Sequence, residues 1–302
     1  MNQPLRRLVF AGEALVDLLM WVPPLPERGG DMLAGSSSVQ VGGGFNIMAA
    51  AARQGLPVVY AGGHGTGPWG DKVRAALAAE GVAVLRPPDP DADTGFDVAL
   101  VEEGGERTFV TSLGAETLRQ PGAWDAIPVG AADAVYVSGY GLVAPESGAI
   151  LGAWAAALPA GVLLFVDPGP LIADIPAAVL RPVLSRCDWW SSNQREAALL
   201  TEAGDPAEAA TGATAVLVSL TGDEAVSSVV LESGLAAGLG DTVLVDTSTV
   251  SPTISQAEAD AVPGRQMLAA PVLGAPAAVT AGQASYVIAG PRPLADRLEP
   301  MW

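Results

Sequence analysis

The sequence predicts an α/β protein built on a mostly parallel sheet that helices cover on both faces. Short strand-like apolar runs alternate with helical patterns, which is typical of such sheets. The runs are Leu8–Ala11, Val58–Ala61, Ala134–Val137, Val162–Val166 and Ala215–Leu220. The 302 residues are enough for a sizeable core. Half of them are hydrophobic and only 16% are charged, which argues against disorder.

The first apolar run leads into the most informative segment of the chain. Leu8–Asp17 is interpreted as a strand that ends in a carboxylate, and Val41–Gly55 (VGGGFNIMAAAARQG) follows as a loop that continues into a helix. Consecutive glycines are expected where the backbone adopts positive φ or lies flat against a neighbour. The Asn46 amide can donate and accept hydrogen bonds beside a hydroxylated ligand. A tight turn, a polyol pocket and a phosphate cradle all fit this segment.

Two insertions interrupt the alternation of strands and helices. Leu18–Gly42 and Thr94–Glu116 mix polar and apolar residues with glycine and proline, and they are predicted to be antiparallel strands of a separate small sheet. Between them, the segment after Val58–Gly63 predicts a turn and then a helix whose apolar stripe is Val73, Leu77 and Val82.

Charge and composition exclude several classes of function. A net charge of −18 disfavours nucleic-acid binding, which needs clustered basic residues. One cysteine, Cys187, permits no internal disulfide and fits a reducing cytoplasm. Ser147–Val166 is uncharged, but Pro159 divides it into a helix and a strand, so we expect no membrane span.

The order strand, GGxxN, helix, strand, GxGxxGD, helix resembles the ribokinase-like (PfkB) carbohydrate kinases. Val166–Pro170 and Asn193–Leu200 extend the resemblance over residues 1–212. It implies a three-layer αβα fold in which the two insertions form a β lid over the sugar. It also implies a small-molecule sugar substrate, ATP and magnesium as cofactors, and a possible homodimer formed through the lid.

The same resemblance implies the site residues. Asp17 and Asn46 would hold sugar hydroxyls, and Gly42 and Gly43 would let the substrate approach the backbone. Asn193 and Glu196 match the family motif that organises magnesium and phosphate. Structural interpretations stay open beside these: a solvated carboxylate at a strand end for Asp17, and a helix capping box for the Asn193–Glu196 pair.

The family's general base lies in a G-A-G-D at the start of a late helix, and the chain departs from that pattern. The nearest match is Gly238–Asp241, which is followed by a β-branched run that predicts a strand. An anion hole made of helix N-terminal amides would not form there. The context therefore argues against Asp241 as the base, and the family's adenine-pocket segment is missing too.

Residues 213–302 are similar to the second half of the nucleotide-binding domain of β-hydroxyacid dehydrogenases. The apolar strand ending at Leu220, the D-x-S-T at Asp246–Thr249 and the A-P-V-x-G at Ala270–Gly274 carry this resemblance. It implies a Rossmann-like half-domain. NAD(P) is not expected, because no strand–GxGxxG–helix fingerprint precedes residue 213 in the required relation. The sole lysine, Lys72, also lies too far upstream for the catalytic lysine of those enzymes.

Three functional hypotheses follow. The first is an ATP-dependent PfkB-type carbohydrate kinase, impaired or inactive because the base and anion-hole segment is missing. The second is a non-catalytic sugar-binding or dimerising protein. The third is an NAD(P)-binding, dehydrogenase-like fusion product.

Overall fold

The computed structural model describes residues 5–117, 122–144, 146–200, 206–273, 283 and 285–298. The chain divides into two compact units, Met1–Ser191 and Ser192–Trp302. This division precedes the domain boundary expected near residue 212. The helix at Gln194–Leu200 contacts the one at Pro206–Ala209, which in turn contacts the helix at Leu235–Gly238, so the first two of these helices belong with the later part of the chain.

The first unit contains a main sheet, a smaller sheet and helices. Its strands are β1 (Arg7–Ala11), β2 (Ala14–Trp21), β3 (Ser36–Gly43), β4 (Val58–Tyr60), β5 (Ala83–Val84), β6 (Phe96–Val101), β7 (Arg107–Ser112), β8 (Asp133–Ser138), β9 (Leu163–Asp167) and β10 (Trp189–Trp190). Its helices are α1 (Phe45–Arg53), α2 (Pro68–Ala79), α3 (Gly139–Val143), α4 (Ser147–Ala156), the 3₁₀ helix Gly169–Asp174 and α5 (Ala177–Arg186).

The main sheet is parallel, in the order β10-β9-β8-β1-β4-β5. Alternate residues of β1 face opposite sides. Leu8 and Phe10 pack with Met48 of α1 and other buried residues in one core, and Val9 packs with Leu151 of α4 in a second core. The predicted three-layer arrangement with helices on both faces is therefore confirmed.

The small sheet has the order β3-β2-β6-β7, and it corrects two expectations. The run Leu8–Asp17 forms parts of two strands in two sheets, because the chain leaves the main sheet at Gly12, where a Cβ would lie 2.8 Å from the Phe10 ring. The small sheet is also not wholly antiparallel. The β2/β3 and β6/β7 pairs are antiparallel hairpins, but β2 and β6 run parallel where the hairpins join.

The second unit contains β11 (Ala215–Val218), β12 (Val243–Asp246), β13 (Met267–Ala269), β14 (Val272–Leu273) and β15 (Ser285–Tyr286). Its helices are α6 (Gln194–Leu200), α7 (Pro206–Ala209), α8 (Asp223–Val226), the π helix Ser227–Glu232, α9 (Leu235–Gly238), α10 (Pro252–Ala261), the 3₁₀ helix Pro263–Arg265 and α11 (Arg292–Arg297). Strands β11, β12 and β13 form a parallel sheet of their own, and β14 and β15 form an antiparallel pair. The strand predicted at Ala215–Leu220 therefore exists, but in a sheet separate from that of the first unit.

The uncharged stretch Ser147–Val166 is divided as predicted. Helix α4 ends at Ala156, and β9 begins at Leu163. Among the residues that the structure describes, no helix combines the length and the apolar character needed to cross a membrane.

Candidate functional site

The glycine run Gly42–Gly44 connects β3 to α1, and close packing requires glycine there. A Cβ on Gly42 would lie 1.9 Å from Oδ2 of Asp17. A Cβ on Gly44 would lie 1.9 Å from Cζ of Phe10 in the core. Gly43 has a φ of 58°, in the left-handed region that favours glycine. The run therefore places the Asp17 carboxylate directly against the backbone at the start of α1.

Asp17 lies in the middle of β2, not at a strand end as the sequence suggested. It is paired with Gln40 of β3 and with Asp97 of β6. The Asp17 and Asp97 carboxyl groups lie within hydrogen-bonding reach of each other, and Asp97 is only 7% exposed. Burial and the charge of Asp17 together raise the pKa of Asp97 to about 7. Burial also raises the pKa of Asp17, partly offset by Asp97 and by the charge of Arg107.

Asn46 is exposed on the first turn of α1 and lines an open groove. The groove has a volume of about 470 Å³, and Gln40 and Lys72 also line it. This volume lies within the usual range of small-molecule sites. Asp17 is not among the described residues that line the groove. The Asp17 carboxylate lies against Gly42, and Gln40, which is paired with Asp17 on the neighbouring strand, also lines the groove.

A second polar cluster lies at the carboxyl ends of the main-sheet strands. Glu13 follows β1 and Ser138 ends β8, the two strands between which the chain order reverses. Ligands commonly bind at this position in open α/β sheets. The Ser138 hydroxyl donates to Oε1 of Glu13 at 2.6 Å. Burial raises the pKa of Glu13 to about 7, although this hydrogen bond opposes the shift.

Glu116 links the segment before β6 to the segment after β7, at one end of the small sheet. Its carboxylate accepts hydrogen bonds from the Gly95 amide at 2.8 Å and from the Gly114 amide at 2.6 Å. Together with Glu13 and Ser147 it lines a cavity of about 20 Å³. A cavity of that size holds about one water molecule and is too small for a sugar.

Asn193 and Glu196, in the second unit, form a reciprocal capping box at the start of α6. The Asn193 backbone amide donates to Oε2 of Glu196 at 2.8 Å, and the Asn193 side-chain amide donates to Oε1 at 2.8 Å. The Glu196 amide donates in return to Oδ1 of Asn193 at 2.9 Å. The structural interpretation of the N-x-x-E spacing is thus present in full.

Asp241 is exposed in the turn between α9 and β12, and a strand follows it.

The D-x-S-T segment connects the end of β12 to the residues after β11 through hydrogen bonds. Oδ1 of Asp246 accepts from the Ser248 amide at 2.8 Å, and the Ser248 hydroxyl accepts from the Leu220 amide at 2.9 Å. Of the A-P-V-x-G segment, Gly274 lies outside the described residues. In the described part of the chain, no group of three or more His, Cys, Asp or Glu side chains could hold a metal ion.

Sequence reasoning overlooked Asp97, Glu13 and Glu116. Only Glu13 carried a signal, as an acidic residue inside an apolar run. Asp97 and Glu116 stood within a segment predicted only to form strands of the small sheet. Their burial depends on strand pairing that the local pattern does not encode.

Comparison with known proteins places most of the chain in one family. The family described as pfkB family carbohydrate kinase matches residues 5–247, which extends beyond residue 212. The chain is 34% identical over 196 residues to the uncharacterized sugar kinase YegV of Escherichia coli (strain K12). This alignment covers 65% of the chain and 60% of YegV, so the chain spans about three fifths of the length of that relative.

Solved structures share the fold. Adenosine kinase from Sinorhizobium meliloti superimposes with a TM-score of 0.56 at 20% identity, covering 69% of this chain and 71% of that one. Ribokinase from Giardia lamblia superimposes with a TM-score of 0.54 at 21% identity, covering 65% and 59%. At these identities the likeness shows a ribokinase-like α/β fold. Together with the family match over residues 5–247, it establishes that the chain belongs to the pfkB family of carbohydrate kinases.

Proposed function

We propose that the chain binds a sugar on its first unit, where Asp17, Gly42, Gly43 and Asn46 hold the substrate. The observation that carries the proposal is the close approach of the Asp17 carboxylate to Gly42, beside the start of α1. A carboxylate accepts hydrogen bonds from sugar hydroxyls, and the Asn46 amide both donates and accepts them. The description of YegV as a sugar kinase supports the same substrate class.

The proposed reaction is ATP-dependent phosphoryl transfer to a sugar hydroxyl. Such transfer relies on positioning and on groups that neutralise phosphate charge, a role that magnesium fills when bound. Asn193 and Glu196 are the proposed magnesium and phosphate residues. Among the described residues, each Glu196 oxygen accepts one hydrogen bond, which leaves a second lone pair, so these oxygen ligands fit an oxygen-seeking cation. Magnesium is commonly held by one or two carboxylates together with substrate phosphates.

We propose that turnover is impaired. The strand that follows Asp241 leaves no helix N-terminus from which an anion hole could form in the family's way. Loss of a general base alone typically costs about 10²- to 10⁴-fold in rate. Asp241 is therefore proposed not to act as the base.

The second candidate function is sugar binding and dimerisation without catalysis. One face of the small sheet carries an apolar row of Val39, Leu18, Val98 and Val110 in neighbouring register positions. Val39 is 46% exposed and Val110 is 66% exposed. Exposed apolar rows of this kind favour a protein partner, and a second copy of the chain is the proposed one.

A cytoplasmic location is proposed from the single cysteine.

The third candidate is the dehydrogenase-like interpretation of residues 213–302, with a domain boundary near residue 212. The parallel order β11-β12-β13, with Asp246 at the end of β12, is compatible with a Rossmann-like half-domain. NAD(P) binding is not part of the proposal. Thermal stabilisation by NAD or NADP, in the absence of stabilisation by any sugar, would favour this candidate over the kinase.

The test is a panel of neutral pentoses and hexoses with ATP and magnesium, monitored for sugar-dependent thermal stabilisation and for ADP release. We expect one or more sugars to stabilise the wild type and Asp241→Asn equally, and Asp17→Asn to lose that stabilisation. Slow ADP release, unchanged in Asp241→Asn, fits the impaired kinase. Rapid release abolished in Asp241→Asn would contradict the assignment of Asp241, and absence of any sugar effect would refute the function.

A further inference from the structure

The proposed sugar-binding face of the small sheet carries a polar row that includes a second carboxyl group. Gln40, Asp17, Asp97 and Thr111 occupy directly paired positions on β3, β2, β6 and β7. Directly paired side chains on neighbouring strands lie on the same face. The row therefore places Asp97 beside Asp17, on the side of the Asp17 strand away from Gln40.

The two carboxyl groups share a buried position. Oδ1 of Asp17 and Oδ1 of Asp97 are both buried, and in the described part of the chain neither receives a hydrogen bond from an N–H or O–H donor. The oxygens approach each other closely enough for a hydrogen bond if one carboxyl carries a proton. Two carboxyl groups within hydrogen-bonding reach of each other strongly disfavour the state in which both are ionised.

The surroundings decide which carboxyl keeps the proton. Arg107 of β7 is the charged group that acts on Asp17, and it favours the ionised form of Asp17. Asp97 is more deeply buried, and the charge of Asp17 favours its protonated form. Gln40 and Thr111, the remaining members of the row, are neutral. The proton therefore resides on Asp97, and Asp17 carries the charge.

We propose that Asp97 is a positioning residue of the sugar site: its carboxyl donates a hydrogen bond to Asp17 and holds the Asp17 carboxylate over Gly42. The inference rests on the proposed function. The pair then carries a single negative charge and presents Asp17 as an acceptor for the hydroxyls of a neutral sugar. The same charge repels a sugar acid. When Asp97 loses its proton, repulsion moves Asp17 away from the position that the sugar needs.

The proton requirement gives a measurable pH dependence. Because burial and Asp17 raise the pKa of Asp97 to about 7, the binding-competent fraction falls as the pH rises above that value. Apparent affinity falls with the competent fraction, so the dissociation constant rises about tenfold between pH 6 and pH 8. Asp97→Asn retains a donor to Asp17 and does not titrate, so its affinity has no such dependence.

The experiment is calorimetric titration of D-ribose, D-fructose and D-gluconate into the full chain at pH 6, 7 and 8. The variants are Asp97→Asn, Asp97→Ala and the control Glu103→Gln, which removes an exposed carboxylate from the turn between β6 and β7. We expect wild type and Glu103→Gln to lose affinity for the neutral sugars as the pH rises. Asp97→Asn should bind at every pH with the pH 6 affinity of the wild type, within about threefold, and Asp97→Ala should bind at least about tenfold more weakly.

Two results would overturn the inference while leaving the proposed function intact. One is an Asp97→Asn profile that retains the pH dependence of the wild type, and the other is Asp97→Ala binding with wild-type affinity. D-gluconate binding as tightly as the neutral sugars would refute the charge argument. If no sugar binds the wild type at any pH, the proposed function itself fails. Circular dichroism and urea unfolding confirm that each variant is folded before titration.

Discussion

Replacing Gly42 with alanine tests the contact between the glycine run and Asp17. The new Cβ would lie 1.9 Å from Oδ2, 2.1 Å from Oδ1 and 2.2 Å from Cγ of Asp17, so the entire carboxylate must move. Overpacking of this kind costs about 1–3 kcal/mol of folding free energy. Displacing Asp17 also removes a charged hydrogen bond to the sugar, worth about 1.5–3 kcal/mol. Sugar affinity should therefore fall roughly 10- to 100-fold.

The measurements are urea unfolding and sugar-dependent thermal stabilisation of Gly42→Ala. Gly104→Ala is the matched control, because a Cβ on Gly104 meets nothing within 4 Å. The control should retain the stability and sugar response of the wild type. The reasoning is refuted if Gly42→Ala unfolds at the same urea concentration as Gly104→Ala and responds equally to sugar.

Two further substitutions test buried charges outside the site. Arg6 donates to Asp133 at 2.8 and 2.6 Å, and although burial alone would raise the pKa of Asp133, Arg6 and Arg7 lower it. Asp133→Asn should lower the free energy of unfolding by about 1.5–3 kcal/mol at neutral pH. Urea titrations should show this difference shrinking as acid protonates the wild-type carboxyl. Equal stability of the two proteins at pH 7 would contradict this prediction. Burial and the charge of Asp246 raise the pKa of Glu258 to about 8, so the folded state binds the extra proton and stability falls as the pH rises from 4.5 towards 8. In Glu258→Gln, the free energy of unfolding should no longer fall by about 1.4 kcal/mol per pH unit in that range. The variant should therefore be more stable than the wild type at pH 8. An unchanged dependence of the unfolding free energy on pH would refute this prediction.

Local patterns predicted much of the fold because they reflect local constraints. The glycine run and the alanine-rich segment after it gave the connection from β3 to α1, and Pro159 separated α4 from β9. The spacing of Asn193 and Glu196 left a capping box open beside a magnesium and phosphate role, and the hydrogen bonds of the capping box are present. Each of these features depends on residues within a few positions of one another.

Features set by long-range pairing were out of reach of such patterns. The apolar run Leu8–Asp17 contains nothing that marks its passage from one sheet to another, since Gly12 is explained by the Phe10 ring and by the Cβ of Ser138, which lies far along the chain on β8. The parallel pairing of β2 and β6 joins segments far apart in the chain, and it alone brings Asp97 beside Asp17. The roles of Asp17, Gly42, Gly43, Asn46, Asn193 and Glu196 in binding stay predictions.

Sugar binding by the first unit is proposed to depend on Asp17. Its most direct test is calorimetric titration, into wild type and Asp17→Asn, of the neutral sugar that most stabilises the wild type. We expect saturable binding to the wild type and a dissociation constant at least about tenfold larger for a folded Asp17→Asn, because a charged hydrogen bond is lost. Equal affinity of the two proteins, or no binding of any neutral sugar to the wild type, would contradict it.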